Sequence, residues 1–71
     1  MRERPAIGAR VRLLGNTGFP ELTGKLGTVA AHHVDGICFF VRLDERTGDW
    51  TQIGCDPINV RPAARAKTAH A

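Results

Sequence analysis

Serine and tyrosine are both absent from this 71-residue chain, and that narrows its chemistry at once. A serine nucleophile and a tyrosine general acid are excluded. The carboxylates Asp44, Glu45 and Asp49 fall in one charged stretch that reads as a solvated turn, without the burial that general-acid work needs. Gly15-x-x-Gly18 lacks the following Lys-Ser/Thr pair and helix of a phosphate-binding loop. Catalysis and a bound cofactor are therefore not expected. Cysteine occurs only at Cys38 and Cys55, too few for a disulfide framework, so both are expected as free thiols. No run of 18 apolar residues exists to span a membrane. The opening MRERPAIG has basic residues but no apolar stretch behind them, unlike a secretory signal. The expected location is the cytoplasm. No helical period of apolar residues occurs anywhere.

What is present fits one small folded domain. Apolar residues make up 42% and charged residues 24%, too apolar for a disordered chain. A chain of this size buries only about 60% of its unfolded surface, so its core is small. The formal charge of +3 sits at the ends. From Gly8 to Pro62, Arg10, Arg12, Lys25, Arg42, Arg46 and Arg61 balance Glu21, Asp35, Asp44, Glu45, Asp49 and Asp56. Residues 1–6 read as a flexible lead, 7–62 as the folded body and 63–71 as a disordered basic tail carrying Arg65 and Lys67.

The most informative stretch is TGKLGTVAAHHVDGICFFVRL, Thr23 to Leu43. Asp35-Gly36 between two apolar runs predicts a two-residue hairpin turn. After it, Ile37, Phe39, Val41 and Leu43 alternate with Cys38, Phe40 and Arg42, which assigns the first set to a core face. Val29 and Ala31 repeat the alternation before the turn. GARVRLL, Gly8 to Leu14, alternates too, with Val11 and Leu13 inward and Arg10, Arg12 and Leu14 outward. Gly15 to Gly24 reads as an irregular loop whose Phe19 and Leu22 cap one end of the core, or whose Phe19-Pro20 forms a binding face. Asp44 to Asp49 reads as a charged turn with Gly48 at positive φ. Trp50 to Ile53 is a fourth strand; with Thr51 and Ile53 inward, Trp50 and Gln52 face out, or else Trp50 folds over the barrel end as a lid on the core. Gly54 to Pro57 is a turn, and Ile58 to Arg61 a brief last strand, or a 3₁₀ turn plus strand, that Pro62 ends. The predicted core is Val11, Leu13, Leu26, Val29, Ile37, Phe39, Val41, Leu43, Ile53, Ile58 and Val60. Five short strands without a helix predict an all-β, five-stranded antiparallel barrel.

Gly8-x-Arg10-Val11-Arg12-Leu13 followed by Gly24-x-x-Gly27-Thr28-Val29 resembles the opening of SH3-like barrels of the KOW type. Gly54-Cys55-Asp56-Pro57-Ile58-Asn59-Val60 is similar to the 3₁₀ turn and last strand that close SH3 domains. Short phage and plasmid proteins share this outline. The resemblance spans Ile7 to Pro62 and rests on glycine and apolar positions, so it implies a fold and leaves function open. A narrower likeness is to the type II plasmid-borne dihydrofolate reductases, tetramers of such barrels. Gln52-Ile53 matches part of their Val-Gln-Ile-Tyr pore motif, but Thr51 replaces the valine and Gly54 the tyrosine. Leu13 and Leu14 stand where basic residues would follow the strand.

His32-His33 is the one histidine cluster. Neighbours on a strand face opposite sides, so the pair is not expected to hold a metal. Two functions compete. One is a non-catalytic module that binds a protein, another copy of itself included, through Trp50, Phe40, Leu14, Phe19 and Gln52; tryptophan is enriched at binding hot spots. The other is a nucleic-acid-binding module using Arg10, Arg12, Arg42, Arg65 and Lys67. The charge-neutral body favours the first.

Overall fold

The computed structural model describes residues 4–63. Five antiparallel strands form one sheet: β1 (Arg10–Leu13), β2 (Leu26–His32), β3 (Phe39–Thr47), β4 (Trp50–Cys55) and β5 (Val60–Pro62). Two single-turn 3₁₀ helices, Pro20–Leu22 and Pro57–Asn59, are the only helical segments among the described residues. The order across the sheet is β4-β3-β2-β1-β5. The fold is all-β, as the spacing of apolar residues predicts. No ladder joins β4 to β5 among the described residues, so the pairing itself is an open sheet. Among the described residues no helix is long and apolar enough to cross a membrane.

Alternation puts one side of every strand into a single core. Val11, Leu13, Val29, Phe39, Val41, Leu43, Ile53 and Val60 are buried, as expected, and Leu22 and Cys55 join them. Leu22 arrives from the 3₁₀ turn after Phe19 and plugs the end of the core. Cys55 is buried because β4 runs two residues beyond the predicted end at Ile53, so the period of two continues through Gly54.

Three expected core residues lie elsewhere. Ile37 is 57% exposed because the turn is wider than two residues. β2 ends at His32 and β3 starts at Phe39, and the loop closes through the His33 amide, which donates to the Cys38 carbonyl at 2.9 Å. Within that loop Gly36 has φ +84°, and the Asp35 carboxylate accepts from the amides of Ile37 and Cys38 at 2.8 and 2.9 Å. Ile58 is 60% exposed, since it occupies the 3₁₀ turn and not the strand. Leu26 is half-buried on the outer face, because Gly27 takes the inward position beside it.

Two irregularities shift the register. Val29 pairs with Val41 but Ala31 with Phe40. Ala30 is thus an extra residue, a β-bulge, and Ala31 is exposed. Farther along, Arg42 pairs with Gln52 and Thr47 with Trp50, so Leu43 to Arg46 span on β3 what Thr51 alone spans on β4. The predicted charged turn is therefore mostly strand, and the reversal itself is Gly48-Asp49, with Gly48 at φ +58°. This irregularity also leaves Thr51 exposed, opposite to its expected orientation, and tips Trp50 against the core, the lid arrangement and not the outward one.

The N-terminal lead is anchored from Arg4 onward. The Arg4 guanidinium donates to the carbonyls of His33 and Cys38 at 2.8 and 3.2 Å, and His32 Nε2 donates to the Pro5 carbonyl at 2.7 Å. At the other end the Ala63 amide donates to the Arg10 carbonyl at 2.9 Å. Residues 1–3 and 64–71, and with them Arg65 and Lys67, lie outside the described residues.

Candidate functional site

The aromatic end of the sheet is built by a loop and a strand start. Gly18 at φ +88° turns the chain so that the Thr17 hydroxyl accepts from the Phe19 amide at 3.2 Å. Pro20 then starts the 3₁₀ turn, closed by the Leu22 amide donating to the Phe19 carbonyl at 2.9 Å. Burial of Leu22 pins this turn and holds Phe19 and Glu21 at the surface. Trp50 comes to meet them because the Gly48-Asp49 reversal starts β4 there. The Phe19 and Trp50 ring centroids are 4.6 Å apart, tilted by 55°. The indole N–H donates to Glu21 Oε2 at 3.2 Å, and the rest of Trp50 packs on the core. The result is a fixed tryptophan with its polar atom satisfied, and a phenylalanine 37% exposed beside it. Tilted aromatic pairs of this kind are favourable by about 0.5–1.5 kcal/mol beyond their burial. Glu21, the group that orients the indole, was not singled out from the sequence; its place one residue after Phe19-Pro20 was the available signal.

The other residues expected at a protein contact lie apart from this pair. Phe40 is half-buried on the outer face of β3, its ring lying over Gly54, where an added Cβ would meet Phe40 Cε1 at 3.5 Å. His33 is its aromatic neighbour, with centroids 6.0 Å apart. Gln52 is exposed on β4 opposite Arg42. Leu14 follows β1, half-buried, its amide donating to the Asn59 carbonyl at 2.8 Å.

The same outer face carries the arginines. Arg10 pairs with Thr28 and Thr28 with Arg42, while Arg12 pairs with Arg61. Folding thus assembles a cluster that linear order scatters. Part of it is neutralised: Arg10 grips Asp44 in a bidentate pair at 2.6 and 2.5 Å and also donates to the Thr28 hydroxyl at 2.8 Å. Their shared hydrogen bonds raise the Arg10 pKa and lower that of Asp44. Arg12 donates to the Gly24 carbonyl at 3.3 Å. Arg42 and Arg61 are exposed and make no salt bridge among the described residues.

A third cluster lines an open groove at the opposite end: His33, Asp35, Cys38, Phe40, Gly54, Cys55, Asp56 and Asn59. The amides of Ile37 and Cys38 hold Asp35 down to about 2. The Cys38 thiol donates to Asp56 Oδ1 at 3.0 Å, and that bond, with Asp35 nearby, pushes it up to about 12. Burial pushes Cys55 up to about 11. Neither thiol is a thiolate at neutral pH, so neither is an activated nucleophile. The Asp35 amide donates to His33 Nδ1 at 3.1 Å, which ties that histidine into the loop. No group of three or more metal-ligating side chains occurs among the described residues. Comparison of the chain with protein-family models, with curated proteins and with solved structures finds no match.

Proposed function

We propose that this chain is a non-catalytic binding module whose partner is a protein, contacted at the Phe19–Trp50 end. The observation that carries this is the preorganised pair itself. The indole is locked by Glu21 and by the core, so little side-chain freedom is lost on binding, and Phe19 offers an exposed ring beside it. The likeness to small SH3-like barrels is compatible with a binding role, and the neutral charge of residues 8–62 suits a contact that does not track phosphates.

Phe19→Ala separates binding from folding better than Trp50→Ala, because Trp50 also packs on the core. Loss of Phe19 should weaken a protein contact by about 2 kcal/mol or more.

A second function is favoured by one specific observation, the registration of Arg10, Arg12, Arg42 and Arg61 on one outer face. A nucleic acid bound there, in the manner of a KOW-like module, would give affinity that falls steeply with salt. Wild type, Phe19→Ala and Arg42→Ala offered in parallel to nucleic acid and to protein extract discriminate the two. Protein contact predicts retention by Arg42→Ala and loss with Phe19→Ala. Salt-sensitive nucleic-acid binding that survives Phe19→Ala and fails with Arg42→Ala contradicts it.

A further inference from the structure

The two edges of the sheet, β4 and β5, are finished differently. β5 has three residues, includes Arg61 and ends in Pro62, whose nitrogen has no hydrogen to offer. Short length, charge and proline all keep further strands away from an edge. β4 has six residues, WTQIGC, with no charge and no proline. Among the described residues its backbone pairs only with β3. Its far side therefore presents a row of N–H and C=O groups suited to another strand, and Thr51, Gln52 and Gly54 are exposed along it.

We propose that this edge pairs antiparallel with the β4 edge of a second copy of the chain, about a two-fold axis at Gln52. The inference rests on the protein-contact reading above and names the partner for this edge; it does not require Phe19. A two-fold contact must be self-complementary, and WTQIGC is so in this register. Gln52 then faces Gln52 of the other copy, and each amide can donate and accept. Trp50 faces Gly54, where the indole, held against its own core, leaves the strand backbones free to approach. Thr51 faces Ile53. Moving the axis to Ile53 instead sets Gln52 against Gly54 and Trp50 against Asp56, and loses the amide pair. The equal numbers of basic and acidic residues over 8–62 leave the folded body without net charge, and the +3 of the chain sits outside it.

The full chain should sediment at twice its 7.7 kDa as concentration rises. Directly opposed Cα atoms lie about 4.5–5.5 Å apart, within disulfide reach. In a Cys38→Ser background, Gln52→Cys should therefore link two copies on mild oxidation, and Thr51→Cys should not. Gln52→Lys places like charges face to face and should raise the dissociation constant at least about tenfold, with unchanged far-UV dichroism. A monomer at every concentration reached overturns the proposal, as does a species larger than a dimer, or linkage through Thr51→Cys alone. Dimerisation abolished by removing residues 64–71 assigns the contact to that segment and also overturns it. If the chain is monomeric but Phe19→Ala still loses a protein partner, the edge proposal falls and the protein-contact reading stands.

Discussion

Gly27 shows how one residue carries the fold. An added Cβ would lie 2.5 Å from Val41 Cγ1 and 2.6 Å from the Arg42 carbonyl oxygen, so β2 approaches β3 as closely as it does only because position 27 has no side chain. The Gly24-x-x-Gly27 spacing read from the sequence thus combines two needs: a positive φ of 82° at Gly24 and close strand approach at Gly27. Gly27→Ala should destabilise the protein by about 1–3 kcal/mol, read from chemical denaturation, whereas an unchanged midpoint would mean that the strands part freely. Asp35 sets a pH dependence. Its pKa is lowered from 3.8 to about 2 by the amides of Ile37 and Cys38. A depressed carboxylate contributes stability above its unfolded pKa and loses it as pH falls through the folded value. Thermal stability should therefore drop between pH 3.8 and about 2, Asp44 acting in the same direction through Arg10. Asp35→Asn should flatten that drop, and an equally steep one in the variant would assign it to other groups.

At the scale of strands, alternation made most of the inward set legible: Phe39, Val41 and Leu43 on β3 and Val11 and Leu13 on β1 are buried. Alternation says nothing about where a strand stops or slips. Ile37 has the right parity but lies in the loop, Cys55 belongs to a strand that continues through a glycine, and the bulge at Ala30 turns Ala31 outward. Charge was misleading over Asp44 to Thr47, because an outer sheet face at an irregular ladder tolerates the same residues as a turn. The register makes a sharp contrast between adjacent phenylalanines. Phe39→Ala empties a fully buried site and should cost about 3–5 kcal/mol, close to the whole stability of so small a domain. Phe40→Ala uncovers Gly54 on the outer face and should leave the protein folded. Calorimetry in which Phe40→Ala unfolds and Phe39→Ala does not would reverse the two faces of β3.

Over the whole molecule, the expected contact residues divide between places that the linear chain could not distinguish. Phe19 and Trp50 meet because a 3₁₀ turn anchored by Leu22 brings the loop to the start of β4; loop geometry of that kind leaves no periodic trace in sequence. Phe40 and Gln52 share the outer sheet face with Arg10, Arg12, Arg42 and Arg61, where Asp44 neutralises part of the charge. The central claim is that the aromatic end, and not the arginine face, meets the partner, and that this partner is a protein. The most direct measurement replaces Phe19, and in a second variant Arg61, with a photo-crosslinking amino acid in the cells that make the chain. Irradiation should yield covalent protein adducts from position 19, absent from position 61. Adducts to nucleic acid from position 61, with none to protein from position 19, would contradict the claim.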